Sequence, residues 1–149
     1  QFCCGELEGT IVAASNAEQP DVILIEGQGA LSHPAFCTSA FILRGSQPDG
    51  VILQDAPKRA HRCDFPKMAM PAPEDEIALI ETFANTKVIG VTINHEGMTD
   101  AEVSASITAQ SQKLDLPVTD ALSRPVAHLV NMVVLAFPRL RQGRVATAL

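Results

Sequence analysis

The chain has 149 residues, 46% of them hydrophobic and 19% charged, which is the make-up of one ordinary folded domain and excludes a disordered tail, a collagen and a coiled coil. A net charge of −6, with no Trp, no Tyr and six Phe, argues against a nucleic-acid partner, whether held through phosphates or by stacking. No apolar run approaches the ~20 residues of a membrane helix, so no membrane partner is expected.

Residues 1–15 carry Phe2, Leu7, Ile11 and Val12 on a helical pattern, and no strand precedes them. Asp21–Ile25 follows, a β-branched run bounded by Pro20 and Gly27 that suits a strand buried on both faces. Gly50–Gln54, Lys87–Asn94 and the short Leu116–Thr119 repeat that pattern. Residues 55–72 form a long irregular segment with Pro57, Pro66 and Pro71, and loops of that length are commonly functional. Pro73 and the acids up to Glu76 open a helix whose dipole they complement, with Ile77, Ile80 and Phe83 on one apolar face. Thr99 and Glu102 form a capping box ahead of Val103, Ile107 and Leu114. A last helix starts near Ser123–Pro125, runs through Val126, Leu129, Val130, Val133 and Phe137, and ends by Pro138.

Strands alternating with helices require right-handed crossovers, hence a three-layer α/β domain with a mostly parallel sheet. Because a helix comes first and the founding strand is lacking, residues 1–149 are expected to form a single partial domain of a larger protein. Its core would span about residues 5–140, with a basic tail over residues 141–149. The missing upstream half, or another chain, is then an expected partner, and an exposed sheet edge favours a homo-oligomer. Cys3, Cys4, Cys37 and Cys63 lack zinc or disulfide spacing, so no structural metal is expected, and reduced thiols in a cytoplasmic protein are the default.

Parallel sheets bind ligands at the carboxyl ends of their strands. That directs attention to residues 26–34, 55–70, 94–98 and 120–124. Charge is uneven too. Residues 1–120 hold seven basic and seventeen acidic groups, whereas residues 121–149 hold Arg124, Arg139, Arg141 and Arg144 and no acid. A second basic island, Lys58, Arg59, Arg62 and Lys67, lies in the long irregular segment. Such groups are either solvated surface or partners for phosphate and carboxylate.

The first of those loops, Glu26–Pro34, is the most distinctive. Gly27 and Gly29 allow a tight turn and let backbone N–H groups approach an anion. Glu26, at a strand end, suits a metal ligand, a general base or the partner of a cation. Ser32 and His33 are adjacent but make no triad, since G-x-S-x-G is absent. A Walker A loop is excluded because no G-K-[ST] follows. A dinucleotide fingerprint keeps G-x-G but has Ser32 for its third glycine, and plain loop architecture remains open.

The string D-V-I-L-I-E-G-Q-G-A-L-S-H-P-A-F over Asp21–Phe36 resembles the D-glutamate N-acetyltransferase family in its C-terminal P-loop-like domain. Arg44–Asp49, Gly90–Asn94 and Leu116–Asp120 extend the likeness over about residues 5–140. The resemblance implies a P-loop NTPase-like fold similar to dethiobiotin synthetase, joined to an N-terminal Rossmann-like domain, with the phosphate-binding loop upstream of the first helix here. It also implies acetyl transfer from acetyl-CoA, as co-substrate, to the amine of the small molecule D-glutamate. By that comparison Glu26 stands at the second acidic position, which holds magnesium in related nucleotide enzymes, and Asn94 at a strand tip that contacts a base.

The catalytic candidates are therefore Glu26 and His33, either of which could accept the proton of the substrate ammonium. Gly27, Gln28, Gly29, Ser32 and Asn94 are candidates for holding the cofactor, and the Gly27 and Gly29 amides suit an oxyanion or a diphosphate equally. Lys58, Arg59 and Arg62 are candidates for substrate carboxylates or CoA phosphates. Two other functions compete: a magnesium–ATP enzyme of the dethiobiotin synthetase kind with Glu26 on the metal, and a non-catalytic assembly domain. Without the upstream loop the isolated chain would be inactive.

Overall fold

The computed structural model describes residues 2–142, so most of the predicted basic tail, including Arg144, lies outside the described residues. The elements in chain order are α1 (Phe2–Glu18), α2 (Thr38–Ser46), β1 (Val51–Asp55), β2 (His61–Arg62), β3 (Phe65–Ala69) and α3 (Pro73–Ala84). Then come β4 (Val88–Ile93), α4 (Asp100–Leu114), β5 (Val118–Asp120), α5 (Ala127–Ala136) and a 3₁₀ turn over Pro138–Gln142. This is the expected α/β class, with a parallel sheet of strand order β1-β4-β5. No described helix is long and apolar enough to cross a membrane.

Two compact units divide the chain: the described parts of Gln1–Leu53 with Arg59–Val88, and of Gln54–Lys58 with Ile89–Leu149.

In the first unit α1 packs on α2, and the only interior positions are few: Leu43 on α2, Ile80 and Glu76 on α3, and Val88 are buried among the described residues. No residue of α1 is buried. Helix α3 begins as its sequence demands, with proline in the first turn beside Glu74, Asp75 and Glu76, and ends at Asn85 in the left-handed region, φ 50°. Asn tolerates that conformation because its short amide bonds locally.

The run Asp21–Ile25 corrects the sequence expectation. It is not a strand, and it is not buried: Leu24 is 85% exposed, and Val22, Ile23 and Ile25 are exposed with it. β-branched composition specifies an extended chain, but a strand exists only where a neighbour completes its hydrogen bonds, and none does among the described residues. A second correction concerns residues 55–72. This segment holds the antiparallel hairpin β2–β3, with His61 opposite Ala69, Arg62 opposite Phe65 and a register irregularity between.

The second unit has the denser interior. Val91 and Ile93 on β4, Val103 on α4 and Met132 on α5 are almost wholly shielded. Strand β4 pairs in parallel with β5, Val91 opposite Val118, Thr92 opposite Thr119 and Ile93 opposite Asp120. Gly90 explains the close packing here, since a Cβ on it would lie 2.7 Å from Met132 Sδ and 3.1 Å from Pro117 O. The capping box at the start of α4 forms as predicted, Thr99 Oγ1 accepting from Glu102 N at 3.3 Å and Glu102 Oε2 accepting from Thr99 N at 2.8 Å. Strand β5 begins two residues later than expected, and α5 starts at Ala127, two past Pro125.

Candidate functional site

In the first unit the Glu26–Pro34 loop is held by its second half. Glu26, Gly27, Gln28 and Gly29 are exposed. Gly29 has φ +80°, and a Cβ there would meet Phe36 Cβ at 2.9 Å, so both backbone shape and space require glycine. Ser32 is fixed by α3: its backbone N–H donates to Glu76 Oε1 at 3.1 Å, and its hydroxyl donates to Glu76 Oε2. Glu76 is only 3% exposed, and this is where both its oxygens go. The Ser32 oxygen in turn accepts from Arg62 Nη2 at 2.9 Å. A buried carboxylate, a hydroxyl and a guanidinium thus stand in series.

His33 is committed at both ring nitrogens. Nδ1 accepts from Ala35 N at 3.2 Å, so the neutral ring carries its proton on Nε2, which points at the Cys63 carbonyl 3.2 Å away. The ring stacks on Phe36 at 4.3 Å between centroids and meets the edge of Phe65 at 5.4 Å. These contacts tie the loop to the β2–β3 hairpin. Helix α2 begins only at Thr38, so neither Ser32 nor His33 lies in a helical first turn.

In the second unit a different constellation forms where β4 and β5 end. Asp120 is 1% exposed. Its Oδ1 accepts from Leu122 N at 2.8 Å and Ser123 N at 2.7 Å, and its Oδ2 is bonded to His95 Nδ1. Burial pushes the Asp120 carboxyl up, but the Ser123 N–H, His95 and the Leu122 N–H outweigh it and hold the group below its ordinary value. Asp120 is therefore ionised near neutrality and fixes the His95 tautomer with the Nδ1 proton toward itself. The His95 side chain is 38% exposed, and its Nε2, the acceptor in this tautomer, makes no hydrogen bond among the described residues. A buried carboxylate orienting an imidazole is the arrangement that produces a general base.

The surrounding polar groups are mostly occupied. Asn94 N donates to Asp55 O at 2.7 Å, and Asn94 Oδ1 accepts from Glu96 N at 3.1 Å, so Asn94 shapes the turn that carries His95. Asp55 Oδ2 accepts from Gln110 Nε2 at 2.6 Å. Arg124 is spent on Asp100 at 2.5 Å and on Ser104 Oγ at 2.8 Å. Lys58 Nζ lies 2.6 Å from Glu102 Oε1, and that contact, with the Thr99 bonds, lowers the Glu102 carboxyl to about 2. Lys58 thus pairs with the capping box of α4. Arg59 is exposed.

The structure brings Ser32 and Arg62 together and leaves Glu26 solvent-facing. No group of three or more His, Cys, Asp or Glu able to hold a metal occurs among the described residues, so a magnesium at Glu26 would depend on oxygens from a bound phosphate. Three residues went unnoticed in the sequence as site candidates: Glu76, His95 and Asp120. Glu76 carried a signal, because it precedes Ile80 by one helical turn and so shares its buried face. His95 and Asp120 sit in the right strand-end segments, but their pairing depends on β4 and β5 being neighbours.

Known proteins can be set beside this geometry. The chain is 31% identical over 121 residues to a D-glutamate N-acetyltransferase of a Pseudoalteromonas species, covering 77% of this chain and 36% of the relative. It is 30% identical over 114 residues to a D-glutamate N-acetyltransferase of Tritonibacter scottomollicae, covering 72% and 34%. The chain therefore spans about a third of the length of the curated relatives it matches. A crystal structure of a DUF1611 family protein from Anabaena variabilis superposes with a TM-score of 0.82 at 25% identity, over 89% of this chain and 40% of that one. The family model described as a domain of unknown function, DUF1611_C, P-loop domain, matches residues 1–130, and the chain belongs to that DUF1611 family as its C-terminal P-loop domain.

Proposed function

We propose that the protein takes part in moving an acetyl group from acetyl-CoA to the amine of D-glutamate, with His95 as proton acceptor. The observation that carries this is the His95–Asp120 pair at the ends of two adjacent parallel strands, an imidazole oriented by a buried carboxylate with its second nitrogen open. The names of the curated relatives support the reaction class.

The chemistry follows from the charges. A D-glutamate ammonium cannot attack a thioester until it loses a proton, which His95 Nε2 accepts while Asp120 stabilises the imidazolium. The amine nitrogen then bonds to the thioester carbonyl carbon, and the carbon–sulfur bond breaks. Of the protons the nitrogen loses, one returns to the CoA thiolate and the other leaves to solvent. Glu26, exposed, and His33, committed at both nitrogens, suit this task less well. Gly27, Gln28 and Gly29 keep the role of offering backbone N–H groups to an oxyanion or a diphosphate. The free thiols and an acetyl-CoA-dependent reaction suit the cytoplasm.

The test uses the full-length protein. His95→Gln and Asp120→Asn each lower kcat for acetyl transfer about 10²-fold with the fold intact, while Glu26→Gln and His33→Asn stay closer to wild type. Wild-type rates in both His95→Gln and Asp120→Asn overturn the assignment. The P-loop membership favours one other reading, a magnesium–ATP enzyme of the dethiobiotin synthetase kind. Calorimetric titration with acetyl-CoA and separately with ATP–magnesium separates the two, since only one should bind tightly.

A further inference from the structure

In the first unit, a half-buried guanidinium has no direct carboxylate partner among the described residues and is linked to Glu76 only through the Ser32 hydroxyl. Arg62 donates to a neutral oxygen, Ser32 Oγ at 2.9 Å, and no acidic side chain lies within ion-pair distance of it among the described residues. Other cations of this protein are neutralised directly: Lys58 by Glu102, Lys87 by Glu81, Arg124 by Asp100. Glu76 therefore compensates this charge at one remove, and no carboxylate meets the planar fork of Arg62 directly among the described residues.

The second half of the observation is what holds Arg62. Glu76, 3% exposed, spends both oxygens on Ser32, gripping its N–H and its hydroxyl together. That two-point grip fixes the Ser32 rotamer and aims its remaining lone pair at Arg62. Burying a carboxylate against a hydroxyl is a poor route to stability, because an apolar side chain of similar size would avoid the desolvation. What the arrangement achieves is direction: the guanidinium is braced at Nη2, and no other hydrogen bond holds it among the described residues. His33 meets the edge of Phe65, the residue opposite Arg62 in the hairpin, and the His33 bonds to Cys63 and Ala35 keep the loop against the hairpin that carries Arg62.

We infer that Arg62 is an oxyanion anchor, binding a carboxylate or phosphate group of a substrate, and that Ser32 and Glu76 are its positioning residues. Arginine suits this because its planar fork meets two oxygens at once. The inference rests on the acetyl-transfer reading only for the identity of the ligands, D-glutamate supplying carboxylates and CoA supplying phosphates.

The experiment follows the side-chain Nε–Hε signal of Arg62 by NMR in the full-length protein, assigned by its loss in Arg62→Lys, during separate titrations with D-glutamate, CoA and inorganic phosphate. The signal is expected to shift saturably with D-glutamate or with CoA, and the one that moves it identifies the source. Arg62→Met weakens that ligand roughly tenfold or more and leaves the other unchanged. Ser32→Ala raises KM for the same ligand with kcat little changed, and Ser32→Thr, which restores the hydroxyl, recovers it. A signal unmoved by all three probes, or an Arg62→Met protein that binds both ligands as wild type, overturns the anchor. A wild-type KM in a folded Ser32→Ala protein overturns the positioning role. Should Arg62 answer to phosphate while neither D-glutamate nor CoA binds, the anchor stands and the acetyl-transfer reading falls.

Discussion

The two units use the same device for different ends. In each, a buried carboxylate grips a neighbour's side chain while also accepting from backbone N–H, Glu76 from Ser32 and Asp120 from Leu122 and Ser123. The difference lies in what is gripped. Glu76 holds a hydroxyl, which does not titrate near neutrality and can only pass on direction, here to Arg62. Asp120 holds an imidazole, which can accept a proton on one nitrogen while donating from the other. On the proposed roles, a carboxylate at a helix start holds a binding group in place, and one at a strand end orients a base.

The contrast is most directly broken by kinetics. His95→Gln and Asp120→Asn should cost about 10²-fold in kcat with KM little changed, whereas Arg62→Met should act on binding. Equal effects on kcat from both units would erase the distinction. Stability offers the next test: Asp120→Ala leaves the Leu122 and Ser123 N–H groups unpaired beside an already dense interior and should cost about 1–3 kcal/mol by urea unfolding. Met132→Ala, which empties the 1%-exposed site behind Gly90, should cost about 2–5 kcal/mol in the same assay and serves as the packing reference.

Acid sharpens the comparison further. Since the native Asp120 carboxyl lies below its ordinary value, its ionised form stabilises the fold above the ordinary carboxylate range. That contribution drains away as pH falls from about 4 toward the lower native value. Unfolding measured across that window should show a shallower loss of stability in Asp120→Asn than in wild type. The smallest expected effect is at Lys58. Lys58→Met should raise the Glu102 carboxyl from about 2 toward the usual carboxylate range in an NMR titration and leave acetyl transfer unchanged, because Lys58 serves the α4 cap. A large rise in KM for Lys58→Met would instead restore it as a substrate-binding group.

Local patterns were legible in the sequence wherever the cause is local. The capping box of α4, the acidic proline-led start of α3 and the continuous apolar run of β4 depend on neighbours within a turn or a strand, and each appears as expected. The strand-end rule also pointed to the segments that hold His95 and Asp120. Pairing Ser32 with Glu76 and with Arg62 was not legible, because 44 and 30 residues separate the partners. Nor could composition tell that Asp21–Ile25 would stand exposed, since Val, Ile and Leu declare a preference for burial that a strand meets only where a neighbour pairs with it.

By itself the amino-acid sequence determined the α/β class, the starts of α3 and α4 and the glycine-bearing loop after residue 25, because backbone propensity, the helix dipole and side-chain period act over a few residues. Only the tertiary structure decided which polar groups meet. Asp120 reaches His95 across 25 residues because β4 and β5 are parallel neighbours in one register, Ile93 opposite Asp120. A general base is a statement about two side chains within hydrogen-bond reach, and distance along a chain carries no information about distance in space until the sheet is folded.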